Sequence, residues 1–136
     1  MFKLSKKVEY GLIAVKHIAE VGRVKPCSAK EISQEYDIPY ELLSKILQKL
    51  KREKILLSIQ GINGGYKLSR RPEKISLSAV MTAIEGSSLF LECGHHQDPA
   101  TCKIYRTCSI NKPLQKIQKG ITHFFDTTKL SEIVLS

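Results

Sequence analysis

Residues 29–71 constrain this chain more than any other stretch. Ser28-Ala29-Lys30-Glu31 is a capping box, so a helix begins there and runs to about Tyr36. Asp37-Ile38-Pro39 makes a turn, and Pro39 suits the first position of a following helix, where its missing N–H costs nothing. That helix spans roughly 39–53. Its apolar stripe is Leu42, Leu43, Ile46, Leu47 and Leu50; Glu41, Ser44, Lys45, Gln48, Lys49 and Arg52 lie opposite. Residues 56–60 and 66–69 have strand character around Gly61-Ile62-Asn63-Gly64-Gly65-Tyr66, where Gly61, Gly64 and Gly65 supply the positive φ angles of a tight turn. Two short helices followed by a basic hairpin form the plan of a winged helix-turn-helix, a mainly α fold with a small β-hairpin.

The flanking residues fit around that unit. Val8, Leu12, Val15, Ile18 and Ala19 recur at helical spacing over 5–21, and Gly22 closes the helix. Cys27 stands alone in a loop over 23–27 and reads as a small buried or half-buried side chain and not as a ligand. Pro72 ends the hairpin. Ile75 and Val80 can staple a cap at Ser76, and a helix over 77–85 turns Leu77, Val80, Met81 and Ile84 inward before Gly86 stops it. Residues 87–111 have no clear periodicity. Asn111 can cap a long helix over 112–127, in which Leu114, Ile117, Ile121, Phe124 and Phe125 recur at spacings of three and four. A chain this small has little with which to cover that stripe, so it reads as the seam of a symmetric homodimer. Residues 130–135 read as a short terminal helix. The chain thus divides into a DNA-binding region, 1–75, and a region for pairing and control, 76–136.

Charge supports the division. The net charge is +9, and residues 1–74 carry 16 Lys/Arg against 8 Asp/Glu while 75–136 carry 6 against 5. A basic half beside a nearly neutral half points to a polyanionic partner for the first half. With 42% hydrophobic residues the chain is globular rather than disordered. No apolar block of signal-peptide or membrane-span length is present, so a cytoplasmic protein without a membrane partner is expected. Its four cysteines are then thiols, metal ligands or redox sensors rather than structural disulfides.

In a helix-turn-helix the second helix enters the major groove, N-terminal end first. Glu41, Ser44 and Lys45 are therefore the candidates for base edges, with Lys49 and Arg52 nearer phosphates. Gln60, Asn63, Gly64, Gly65, Tyr66 and Lys67 of the hairpin, and Lys6, Lys7 and Ser28 before it, complete the candidate interface with double-stranded DNA. A separate stretch holds Cys93-x8-Cys102-x5-Cys108 beside Gly94, His95, His96, Asp98 and Pro99. Converging soft thiolates bind iron–sulfur clusters or zinc. Zinc usually shows a shorter Cys-x2–4-Cys pair, which is absent here. No catalytic signature surrounds these residues, so no enzymatic turnover is expected.

Three segments carry a family resemblance over essentially the whole chain: Val8-Glu9-Tyr10-Gly11-Leu12, residues 32–50, and Gly61-Ile62-Asn63-Gly64-Gly65-Tyr66-Lys67-Leu68. Together with the trailing cysteines they resemble the Rrf-two family of bacterial winged-helix repressors. That family includes iron–sulfur cluster regulators, nitric-oxide-sensing repressors, iron-responsive repressors and a cysteine-metabolism repressor. The resemblance implies a homodimer on a palindromic operator, paired through the long last helix. It also implies a 2Fe–2S or 4Fe–4S cluster held by Cys93, Cys102 and Cys108. In the iron–sulfur cluster regulators the fourth ligand is a histidine three residues after the last cysteine; here that residue is Asn111, so this assignment fails. In nitric-oxide sensors an aspartate of the partner's first helix ligates, and Glu9 occupies the matching position as an oxygen donor. A salt bridge to a neighbouring Lys is an equal reading of Glu9, and His95 and His96 remain substitutes. Nitric oxide, redox state or iron is then the signal. Two other readings stay open: a winged-helix regulator using zinc or a bare thiol switch, and a nucleic-acid or protein-interaction module without a regulatory role.

Overall fold

The computed structural model describes residues 4–86 and 109–134 of the 136-residue chain. Its elements are α1 (Lys6–Val21), α2 (Ala29–Tyr36), α3 (Tyr40–Arg52), β1 (Leu56–Ile59), β2 (Gly65–Leu68), a 3₁₀ turn (Pro72–Lys74), α4 (Leu77–Glu85), α5 (Asn111–Thr127) and α6 (Leu130–Val134). Three helices begin at a serine whose hydroxyl accepts a backbone N–H three residues on. Ser5 accepts from Val8 at 3.2 Å, Ser28 from Glu31 at 3.1 Å and Ser76 from Ala79 at 3.1 Å. Each cap satisfies an otherwise orphaned donor and contributes about 1 kcal/mol.

One core joins the helices to the hairpin. Val15, Ile18, Ile32, Leu43, Ile46, Leu47, Leu50, Ile55, Leu56, Ile75, Val80 and Leu130 are almost wholly enclosed. Burying each such side chain stabilises the fold by about 1.5–3 kcal/mol before chain entropy is subtracted. α1 is the central strut, packing against α3, α4, α6 and β2. At its crossing with α4, a Cβ on Gly11 would lie 2.2 Å from Ile84 Cδ1, so glycine allows the approach. α4 also packs on α3, which makes it part of the same core as the helix-turn-helix.

The hairpin is a two-stranded antiparallel sheet with Leu56 opposite Leu68 and Ile59 opposite Gly65. Cys27 adds a one-residue third rung. Its N–H donates to the Tyr66 carbonyl at 3.0 Å and the Tyr66 N–H donates back at 2.7 Å.

Four details differ from the sequence-based expectation. Gly61 and Gly65 have φ of +115° and +155°, but Gly64 does not have positive φ. Glycine is needed at 64 for space, because a Cβ there would lie 2.1 Å from the Ile59 carbonyl oxygen. Pro39 is the residue before the first turn of α3 rather than its first helical residue. Asn111 is the first residue of α5, and Ile110 takes the cap position without a side-chain bond. Residues 23–27 hold a rung of the sheet as well as a loop, a pairing set by tertiary contact with Tyr66 and not by local sequence.

Beyond the core, α5 packs against α4, and Gln118 is buried with its amide donating to Thr122 Oγ1 at 2.9 Å. Its apolar stripe is another matter. Ile117 and Phe124 are 53% and 62% exposed, and with Gly120, Ile121 and Phe125 they line a shallow, almost entirely apolar hollow.

Candidate nucleic-acid interface

α2, its turn and α3 are locked by local chemistry. Asp37 takes the left-handed conformation, φ 55°, that reverses the chain after α2. Ser33 Oγ then donates to the Ile38 carbonyl at 2.6 Å, closing the turn. Four buried apolar residues, Leu43, Ile46, Leu47 and Leu50, hold α3 on the core. The opposite side of α3 faces solvent: Glu41, Lys45, Gln48 and Arg52 are exposed and Ser44 is half-buried. Lys49, Lys51 and Arg52 fall in the last turn, where the helix dipole favours positive charge. Lys49 is also tied down, its Nζ donating to the Ile84 carbonyl of α4 at 3.2 Å.

The hairpin projects Gln60, Gly61, Ile62 and Asn63 into solvent. Gly65 is pinned beneath, since a Cβ there would meet the Cys27 carbonyl carbon and oxygen at 2.5 and 2.6 Å. Tyr66 and Lys67 are half-buried. Burial, and then the neighbouring Tyr40, push the Tyr66 hydroxyl pKa up. Lys67 lines a cleft with Arg23, Arg70 and Arg71 over Ile18 and Gly22 of α1. Arg70 is fixed there, donating to the carbonyls of Lys54 at 3.1 Å and Lys74 at 3.2 Å.

Two exposed residues carry features the sequence reading did not single out. Ile62 is fully exposed at the hairpin tip, and Tyr40 is 54% exposed at the start of α3. The signals that could have found them were the apolar residue inside a turn of glycines and asparagine, and the aromatic directly after Pro39.

The remaining candidates fall elsewhere. Ser28 serves as the α2 cap, beside Gly65. Lys6 and Lys7 are exposed on the first turn of α1. Lys6 pairs with Glu9 at 3.1 Å, and that hydrogen bond, followed by the carboxylate's charge, raises the Lys6 pKa. Within a single chain Glu9 is therefore a partner of Lys6. Cys93, Cys102, Cys108, His95 and His96 lie outside the described residues.

A second cluster sits behind the interface. His17 of α1, Cys27 and Glu31 of α2 place one ligand atom each within 4.8 Å of one another. Cys27 is fully buried, as its sequence context implied. Desolvation first, then Glu31, push its thiol pKa up, while Lys25 opposes them.

A helix-turn-helix locked on a core, with a charged second helix and a glycine-tipped hairpin beside it, defines a winged-helix regulator of the DNA-binding type. The chain belongs to the Rrf2 (Rrf-two) family: the family model described as "Iron-dependent Transcriptional regulator" matches residues 4–136. It is 29% identical over 121 residues to the HTH-type transcriptional regulator NsrR of Halalkalibacterium halodurans, covering 89% of this chain and 77% of that protein. It is 25% identical over 133 residues to the regulator IscR of Aliivibrio salmonicida, covering 98% and 77%. Among solved structures, CymR, the global cysteine regulator of B. subtilis, superposes with a TM-score of 0.78 at 25% identity, covering 98% of this chain and 97% of that one. IscR from T. potens gives 0.74 at 24% identity, covering 97% and 85%. The family and these relatives are transcriptional regulators and not enzymes.

Proposed function

We propose that the protein acts as a homodimeric repressor on a palindromic operator, controlled by an iron–sulfur cluster that reports nitric oxide, redox state or iron. α3 would enter the major groove, with Glu41, Ser44 and Lys45 at base edges and Arg52 near phosphates. The hairpin would carry Gln60, Asn63 and the glycine backbone to the adjacent backbone or minor groove. Residues 1–75 are then the reading region and 76–136 the pairing and control region.

The donor set supports the cluster. Three thiolates within residues 93–108 suit iron, and Glu9 from the partner's first helix would supply an oxygen as the further ligand. When bound, the cluster would supply an iron site open to nitric oxide, oxidation or loss. Glu9 is half-buried on α1 and already paired with Lys6, so cluster binding in trans would require the carboxylate to exchange that lysine for metal.

The connection from control to reading rests on α4. Among the described residues it is the last helix before the cysteines, and its end is bonded to two other elements. The Ile84 carbonyl accepts from Lys49 of α3, and the Glu85 carboxylate accepts from Ser5 at the cap of α1. A shift of the chain just after Gly86 therefore pulls on the reading helix and on the helix that carries Glu9. That pair of bonds is the observation that carries the coupling, which need supply only ~1–3 kcal/mol to change occupancy many-fold.

The test is the ultraviolet–visible spectrum of anaerobically purified protein before and after nitric oxide, with operator affinity measured in parallel. An iron–sulfur spectrum that bleaches as affinity changes is expected. Cys93→Ser/Cys102→Ser/Cys108→Ser should abolish both. Material free of iron and sulfide, whose operator affinity ignores the triple substitution, would remove the sensing half of this reading. Glu9→Ala should leave apo-protein binding to DNA intact and alter cluster stability; normal cluster behaviour in that variant would take Glu9 out of the ligand set.

A further inference from the structure

His17 contains the one buried side-chain nitrogen or oxygen among the described residues that has no hydrogen-bond partner, its Nε2. The residue is only 8% exposed. Its other nitrogen, Nδ1, lies 2.8 Å from the Tyr36 hydroxyl, with the two rings edge to face. With Nδ1 engaged by the Tyr36 hydroxyl, Nε2 is the nitrogen left without a partner, and in the tautomer that carries its proton on Nδ1 the Nε2 lone pair is bare. This is the arrangement found behind metal-binding histidines, where a hydrogen bond on one nitrogen orients the other. A bare buried acceptor costs free energy and calls for a partner. Two further metal-ligating side chains lie close to the imidazole. The Cys27 thiol and a Glu31 carboxylate oxygen complete a triangle with a histidine nitrogen whose corners are all within 4.8 Å.

We propose that His17, Cys27 and Glu31 form a site for one thiophilic divalent metal ion, of the zinc type, inside the DNA-reading head. Sulfur, imidazole nitrogen and carboxylate oxygen are the three donor types zinc accepts, and three protein ligands leave a fourth position for water. Ligand atoms around tetrahedral zinc sit roughly 3.5 Å apart. The triangle needs a contraction of about an ångström, within reach of side-chain rotation. The ion would bring two positive charges to a thiolate and a carboxylate, outweighing the single charge of Lys25, 3.8 Å from Glu31. Glu31 is 37% exposed and forms the way in from solvent.

The site joins three parts of the head. His17 is on α1, Glu31 is in the first turn of α2, and Cys27 carries the two backbone bonds that seat the hairpin at Tyr66. Occupancy would fasten the hairpin to the helix-turn-helix. None of its three ligands is drawn from residues 93–108, so the proposal does not depend on whether those hold a cluster.

The full-length triple variant Cys93→Ser/Cys102→Ser/Cys108→Ser isolates the site, because Cys27 is then the single thiol of the chain's four. Titrating that protein with Co²⁺ alone should give a near-ultraviolet thiolate-to-cobalt charge-transfer band, with visible bands of tetrahedral intensity, saturating at one ion per chain. Zn²⁺ should displace the colour and raise the melting temperature in a concentration-dependent way. His17→Gln should weaken Co²⁺ binding at least tenfold while keeping the fold by circular dichroism. A triple variant that stays colourless with excess Co²⁺ and whose melting temperature ignores Zn²⁺ overturns the proposal; so does a charge-transfer band whose affinity is unchanged by His17→Gln. No substitution of Cys27 is needed, so a folding failure at that buried position cannot obscure the result.

Discussion

Gly65 and Gly11 look alike in the sequence, and the structure gives them different consequences. A methyl on Gly65 would strike the Cys27 carbonyl and the Ser28 nitrogen, both rigid backbone, at a φ of +155° that side chains rarely adopt. A methyl on Gly11 would strike only the far end of the Ile84 side chain, which can rotate aside. Gly65→Ala should therefore cost about 2–4 kcal/mol and disturb the hairpin seat, while Gly11→Ala should cost about 1 kcal/mol or less. Urea melts of both variants measure this, and an equal loss would contradict the distinction. The glycine-rich tip was legible as a turn. The separate reasons for its glycines were not: spacing cannot say that Gly61 serves φ, Gly64 serves clearance from the Ile59 carbonyl and Gly65 serves both. The triangle of His17, Cys27 and Glu31 was invisible for a related cause. Its members come from α1, the Cys27 rung and α2, and no local pattern announces a meeting made by packing.

At the scale of elements, what the sequence revealed was whatever a local rule governs. The serine caps and Gly86 gave α4 its ends, and α3 declared its buried and polar sides through periodicity. The role of Lys49 was hidden, because its partner at Ile84 is thirty-five positions away and belongs to another helix. On sequence alone Lys45 and Lys49 share one helix face, Lys45 nearer base edges and Lys49 nearer phosphates. The structure separates them, and a pair of isosteric substitutions tests the separation. Lys45→Met should leave stability unchanged, weaken operator binding and relax sequence preference at the base pair it would read. Lys49→Met should lower stability by about 1 kcal/mol through the lost bond to the α4 end. It should also reduce the response of DNA affinity to the state of the control region. If Lys49→Met leaves stability unchanged and instead lowers the salt slope of DNA binding by about one unit, Lys49 is a phosphate contact and α4 is coupled by other means.

At the scale of the molecule, the question is what covers α5. Phe125 packs against the core, but Ile117 and Phe124 stay exposed, and with Gly120 and Ile121 they line a hollow that the described residues leave open. Exposed apolar hollows of this kind on a small chain mark association surfaces. A second copy would be the partner that symmetry supplies, since one self-complementary helix face closes on itself and goes no further. Gly120 meets nothing within 4 Å of where a Cβ would stand, so a neighbouring helix has room to approach there. The same contact would set the distance between two reading helices and so decide which half-site spacing fits. Phe124→Glu puts a charge into that face without touching the core. Sedimentation should show a monomer in place of a dimer, with the helical spectrum retained. Affinity for the full palindrome should fall about 100-fold or more toward that of a half-site, because the two heads no longer share one tether. A Phe124→Glu protein that stays dimeric and keeps its operator affinity would place the pairing surface elsewhere, and the spacing argument would have to be rebuilt on whichever face replaces α5.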